Sequence, residues 1–195
     1  MAKDNFLSNA PTSEQLKKEL EREKSKSKGG RFFKILVIAL IVIDAIIVIL
    51  TTMFFPIMSI HGNSMHPNLD DGNLVIAYKT DDLKRGDVCA FYSGNSILCK
   101  RIIAYGGEIV DIDEHGYVYI NDIPLSETYL IDADLGNTDI EFPFLVPQGT
   151  YFVMGDNRPV SIDSRDTKIG CISEDQMVGK IIFRFWPFKE IGRIE

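Results

Sequence analysis

The sequence predicts a mainly β protein: an antiparallel β-sheet body with an inserted β lobe, preceded by a single N-terminal transmembrane helix. Three observations carry that expectation. A long apolar run fills residues 32–60; after residue 70 the pattern turns to short β-branched and aromatic runs; and glycine, asparagine and aspartate punctuate those runs.

The apolar run is FFKILVIALIVIDAIIVILTTMFFPIMSI, and between Lys34 and Phe55 only Asp44 is charged. About twenty such residues cross ~30 Å of hydrocarbon. A cleaved signal peptide is the rival reading, but its apolar core is ~7–15 residues and ends in a small-x-small site, whereas this run leads into Met-Phe-Phe-Pro. The expected organisation is a cytoplasmic tail at 1–31, an anchor at 32–55 and an extracytoplasmic body at 56–195, with the lobe at about 107–150. Lys24, Lys26, Lys28, Arg31 and Lys34 precede the anchor, and no lysine or arginine follows until Lys79. Cytoplasmic flanks collect positive charge, so the N-terminus is expected inside. In the tail, Thr12 with Gln15 three residues on reads as a helix start, followed by a charged helical stretch and a Ser/Lys/Gly linker.

In the body the expected strands are NLVIAY, DVCAFY, SILCKRIIAY, EIVDID, YVYIND, TYFVMGD and KIIFRFW. Residues 121–147 alternate less and are richer in Asp and Pro, which suggests an inserted lobe or long loop. Net charge is −7, with 12 basic against 23 acidic residues after position 34, so no nucleic-acid partner is expected. His61, His66 and His115 are scattered without metal-ligand spacing, and neither a metal nor another cofactor is expected. Of the three cysteines, Cys89 and Cys99 fall opposite each other if Ser93-Gly94-Asn95 closes a three-residue hairpin. Packed free thiols are the preferred reading over a cross-strand bridge.

The chemistry concentrates around Ser64, in HGNSMHPNL just beyond the apolar run. A serine hydroxyl needs a group to take its proton: a histidine, a neutral lysine or an N-terminal amine. His61 and His66 have no acid beside them in sequence to orient an imidazole, although a more distant acid could fold in. Lys100 lies inside the apolar strand ILCKRIIAY, where alternation sends Lys100 and Arg101 to opposite faces and one of them inward. Burial drops a lysine's pKa, whereas arginine stays charged and must find a carboxylate. Lys100 is therefore the expected base and Arg101 the expected ion-pair former.

Four segments together carry a resemblance. GNSMHPNL, RGDVCAFY at 85–92, KRIIAYGGEIV at 100–110 and GDNRPVSIDSR at 155–165 follow one another behind an apolar anchor. In that order and spacing the chain resembles the bacterial type I signal peptidases, membrane-anchored Ser/Lys endopeptidases. The resemblance implies Ser64 as nucleophile and Lys100 as general base, with Ser161 bonding and orienting the lysine and Asp163 paired with Arg165. It also implies that the Ser64 backbone N–H serves an oxyanion, and that Ile60, Met65, Leu69, Leu98 and Cys99 wall pockets for small side chains at −1 and −3 of the cleavage site. The implied partners are exported precursors carrying signal peptides, and membrane lipid; contact with the secretion machinery is compatible.

Five positions depart from the family pattern. Gly62 stands where some members complete the oxyanion hole with a hydroxyl residue, Glu108 where aspartate is common, and Cys99 where a β-branched residue is usual. Pro159 and Val160 make the fourth segment stiffer and more apolar. Three other functions fit parts of the pattern. They are a dedicated peptidase for one pilin or secretion cluster, a self-cleaving repressor-type regulator, and a non-catalytic membrane accessory protein. The regulator lacks its DNA-binding segment here, and the accessory protein would have lost Ser64 or Lys100.

Overall fold

The computed structural model describes residues 12–194, so the first eleven residues of the expected tail lie outside the described residues, as do the side chains of residues 23–29. The chain divides into two units, one running to Leu50 and the other starting at Thr51.

The first unit is helical. Helix α1 spans Ser13–Phe54, its last four residues falling in the second unit, and the Thr12 N–H donates to Gln15 Oε1 at 3.0 Å at its start. The expected Ser/Lys/Gly linker does not interrupt it. Lysine is a good helix former, and two glycines cost only about 1 kcal/mol each against a helix extending on both sides. Within Gly30–Phe54 an 18-residue stretch has a mean hydropathy of 3.0 and is unburied. At 1.5 Å per residue Gly30–Phe54 is about 37 Å long, enough to cross a bilayer.

The second unit contains two antiparallel sheets. The main sheet uses β1 (Ile57–Ser59), β2 (Leu74–Tyr78), β3 (Val88–Ser93), β4 (Ser96–Tyr105), β9 (Thr150–Met154), β10 (Ile172–Ser173), β11 (Met177–Trp186) and β12 (Gly192–Arg193). Its order is β1-β2-β11-β3-β4-β9-β10, with β12 paired to β11. Between β4 and β9 the chain forms the second sheet from β5 (Ile109–Ile112), β6 (Val118–Ile120), β7 (Ile123–Pro124) and β8 (Phe144–Leu145), ordered β7-β6-β5-β8. The expected strands all recur in part. The additional ones, β1, β7, β8, β10 and β12, are two or three residues long, too short for alternation to register.

Strand β4 is covered on both faces. Ile102 packs with Phe91, Val153 and Ile172, whereas Ile103 and Ala104 pack with Phe152 and with Val110, Ile112, Val118 and Ile120 of the second sheet. That double covering corrects the expectation that one of the Lys100/Arg101 pair points inward. Both are buried, at 4% and 1% exposure, on opposite faces. Parallel sheets usually show such two-sided burial; here the lobe supplies the second cover.

The β3–β4 hairpin corrects another expectation. Ser93 pairs with Ser96, so Gly94-Asn95 is a two-residue connection, and Gly94 at φ +58° holds the first central position that a type II′ turn gives to glycine. The one-residue slip sets Cys89 opposite Lys100 and Cys99 opposite Ala90. All three cysteines are free.

Arg101 is held by charge on its own face. Its Nε and Nη2 donate to Asp156 Oδ1 and Oδ2 at 2.8 and 2.7 Å, and its guanidinium lies 4.0 Å from the Tyr129 ring centroid. Removing one partner of such a buried pair costs about 3–5 kcal/mol, because the remaining charge has no water to turn to. Asp156→Ala should therefore lower the urea unfolding midpoint of the full chain in detergent by that equivalent, with the slope unchanged. An unaltered midpoint would show that the pair does not hold this face.

Candidate active site

Ser64 sits in the turns between β1 and β2, and the 155–165 loop after β9 fixes its backbone. The Asn157 N–H donates to the Ser64 carbonyl at 3.0 Å, and Asn157 Nδ2 donates to the Asn63 carbonyl at 3.1 Å. From the middle of β4, Lys100 Nζ lies 2.6 Å from Ser64 Oγ. Burial lowers the lysine pKa from its ordinary 10.5. The Asp163 carboxylate works against that shift, and the Arg165 guanidinium reinforces it. An amine that gives up its proton this readily and touches a hydroxyl can act as its base.

The loop supplies a second shell of charge. Arg165 Nε and Nη2 donate to Asp163 Oδ1 and Oδ2, both at 2.8 Å, and the Gly155 N–H donates to Asp163 Oδ2 at 2.9 Å. Burial alone would raise the Asp163 carboxyl, but the Arg165 bonds and charge, with the Gly155 N–H, hold it below the usual carboxylate range. Arg165 also donates to the Leu135 and Arg158 carbonyls, at 2.6 and 3.0 Å.

Ser161 departs from expectation. Its hydroxyl is buried but makes no hydrogen bond, and Lys100 is bonded to Ser64 instead. The Ser161 hydroxyl lies against Gly155: a Cβ added there would stand 2.3 Å from Ser161 Oγ and 2.5 Å from the Ser64 carbonyl oxygen. Only glycine lets the two serines approach one backbone position from both sides.

Several supporting residues escaped the sequence reading. Arg158 donates to the Gly155 carbonyl at 3.1 Å and pairs with buried Glu127, which accepts from the Tyr129 hydroxyl at 2.7 Å. Asn68 Nδ2 donates to Asp156 Oδ2 at 2.8 Å and to the Tyr129 carbonyl at 2.9 Å. Asp156 and Arg158 stood inside the GDNR segment, where charge was the available signal; Glu127 and Tyr129 come from the poorly patterned lobe. Glu108 also has a specific role, pairing with Arg85 and accepting from the Tyr105 N–H at 2.8 Å.

A cleft of about 590 Å³ opens at Ser64, lined by Met58, Ile60, Met65, Leu98, Cys99 and Lys100 among others. Leu69 does not line it. It is fully buried behind Ile60 and Met65, because its N–H closes a turn onto the Met65 carbonyl and directs the side chain into the core. Burial pushes the Cys99 thiol up to about 12, so it stays protonated. Gly62 lies at φ +78° with its N–H given to Asp71 Oδ1 at 2.8 Å. A hydroxyl residue there would have space but an unfavourable backbone.

The histidines form a different arrangement from the one expected. His66 Nδ1 stands 2.6 Å from Asp70 Oδ1, so an acid does lie beside it, brought there one turn along. That pair is half-exposed, and Ser64 Oγ is bonded to the lysine. A larger cavity, about 970 Å³, is lined by Arg85, Arg101, Tyr129 and Lys180 and does not include Ser64. Among the described residues no cluster of His, Cys, Asp and Glu is arranged to hold a metal ion.

Gly155→Ala forces apart groups that now touch, and misplacement of about 1 Å can cost a hundredfold in rate. The variant should react at Ser64 roughly a hundredfold more slowly with an active-site-directed acylating probe while its far-UV circular dichroism stays that of the parent. Parent-like acylation would mean that the close approach at residue 155 does not set the site.

Comparison with known proteins identifies the family. The family model described as signal peptidase, peptidase S26, matches residues 30–186. Signal peptidase IB of Staphylococcus aureus (strain Mu50 / ATCC 700699) is 39% identical over 153 residues, which is 68% of this chain and 78% of that protein. Signal peptidase I of Bacillus licheniformis is 32% identical over 195 residues, covering 90% of this chain and all of that protein. A crystal structure of a signal peptidase I from Enterococcus faecalis V583 is 30% identical, with a TM-score of 0.45, and covers 52% of this chain and 98% of that one. With its family model matched from the apolar helix to the end of β11, the chain belongs to the S26 signal peptidase family and is a serine endopeptidase of the type I signal peptidase class.

Proposed function

We propose that the chain is a membrane-anchored signal peptidase I that cuts exported precursors after small residues at −1 and −3, with Ser64 as nucleophile and Lys100 as general base. The observation that carries this reading is the 2.6 Å approach of a buried lysine amine to the Ser64 hydroxyl.

The chemistry follows from the protonation of that amine. Neutral Lys100 takes the Ser64 proton as Oγ bonds to the scissile carbonyl carbon, and the Ser64 backbone N–H donates to the oxyanion. The ammonium then gives its proton to the departing amine, leaving an acyl-enzyme and a neutral lysine. Lys100 next deprotonates a water, which attacks the ester carbonyl; as the Ser64 Oγ–carbon bond breaks, the Lys100 ammonium returns its proton to Oγ, and the signal peptide leaves with a new carboxyl end that ionises in solvent. Ser161 receives the ammonium's hydrogen bond while it is charged; its buried, unbonded hydroxyl supports that role. Asp163 and Arg165 hold the loop that carries it.

Substrate adds as a strand. β1 is an edge of the main sheet, and Ser96–Cys99 of β4 lie outside the β9 pairing, which begins at Arg101. Both open edges border the cleft, so main-chain bonds supply affinity, and the walls of Ile60, Met65, Leu98 and Cys99 favour small side chains. Gly30–Phe54 anchors the enzyme with its N-terminus cytoplasmic and the body outside, placing Ser64 nine residues beyond Phe55. Exposed Ile57, Trp186 and Phe188 give the body apolar surface suited to lipid.

Ser64→Ala and Lys100→Ala should each abolish precursor cleavage in detergent, and Lys100→Arg should not restore it, because arginine cannot release its proton. Cleavage by Lys100→Ala at the parent rate would overturn the mechanism.

A further inference from the structure

A second cavity opens at Ser64. It measures about 530 Å³ and is walled by Asn63, Asn157, Val160, Ile162 and Ile169. It shares only His61, Ser64, Leu98 and Lys100 with the first cleft. A carbonyl attacked at Ser64 has peptide on both sides, so a substrate whose residues before the bond fill the first cleft must send the residues after it elsewhere. The second cavity is the space across the shared walls.

Its lining reverses the usual pattern. Between residues 160 and 163 the polar members, Ser161 and Asp163, are buried, whereas Val160 and Ile162 are 59% and 56% exposed. Buried polar groups beside an exposed apolar pair are the informative case for burial, because folding alone does not reward that arrangement. The inward pair serves the lysine side of the loop; the outward pair meets nothing inside the fold that explains it. Among the described lining residues Lys100 is the one charged side chain, and Asn157 Nδ2 is already given to the Asn63 carbonyl. An acidic side chain arriving here would lose water without gaining a partner of its own.

We infer that this second cavity is the subsite for the residues following the scissile bond, and that Val160, Ile162 and Ile169 select an apolar side chain within the first two residues of the released mature chain. The inference rests on cleavage at Ser64 as proposed above. It adds a specificity that the −1 and −3 pockets do not contain.

The test uses the full chain in detergent and two precursors with Ala at −3 and −1, carrying Leu-Leu or Asp-Asp at +1 and +2. The parent should cut the Leu-Leu precursor with a kcat/KM at least tenfold higher, the scale of discrimination an apolar pocket achieves. A Val160→Ser, Ile162→Ser double variant should lose that preference by slowing on the Leu-Leu precursor about tenfold more than on the Asp-Asp precursor. Equal cleavage of both precursors by the parent, or a proportional loss on both in the serine variant, would overturn the subsite. Binding of the uncut precursors to Ser64→Ala, read by fluorescence anisotropy, separates the two claims. If the parent cuts neither precursor, the cleavage reading fails, and the subsite still stands or falls on whether Leu-Leu binds about tenfold tighter than Asp-Asp.

Discussion

A buried lysine amine sits against a serine hydroxyl, and much of the body is arranged around that one contact. A lysine keeps its proton unless water is withheld, and water is withheld only where both faces of a strand are covered. Strand β4 meets that condition at Lys100. One sheet carries it, the side chain is buried to 4% exposure, and Ser64 closes its end. The lobe covers the opposite face, where Tyr129 lies on the Arg101 guanidinium and Asp156 bonds it.

The carboxylates that favour the ammonium, Asp163 foremost and Asp156, are each held by an arginine. Arg101, next to the lysine in sequence, is turned to the other face and neutralised by Asp156. The carboxylate nearest in effect, Asp163, would stabilise the ammonium, but it is bound two ways by Arg165. One loop, 155–165, thus contributes the Arg101 counter-ion, the hydrogen bond to the Ser64 carbonyl, the unbonded Ser161 hydroxyl and the Asp163–Arg165 pair. Gly155 sits where these converge, and its missing side chain allows the convergence.

The sequence made the central contact legible through residue type and neighbourhood. Lys100 within ILCKRIIAY stood out because a charge in an apolar strand demands an explanation, and Ser64 because it followed an apolar run without a convincing imidazole partner. Register was harder to read. A one-residue difference in the Gly94 turn moved Cys89 from Cys99 to Lys100, and no periodicity separates a two-residue from a three-residue hairpin. Two-sided burial of β4 was equally hidden, because the covering residues lie in a segment whose strands are only two to four residues long. Leu69 was misplaced for a related reason: position in a motif says that a residue is near the serine, whereas the turn decides whether it faces the cleft or the core. The His66–Asp70 pair was missed because four residues of turn bring together groups that look separate along the chain.

The central claim is that the surroundings of the Lys100 amine ease the loss of its proton. Labelling lysine ε-carbons with 13C in the full chain, with the Lys100→Arg spectrum to assign the resonance, reads its titration directly. The account predicts a midpoint below the ordinary 10.5, because burial penalises the charged form. Between that midpoint and 10.5 the unfolded chain binds more protons than the folded one, so the cost of burying this amine, full at lower pH, should ease as pH rises through the window. A Lys100 resonance titrating at or above 10.5 would contradict the account.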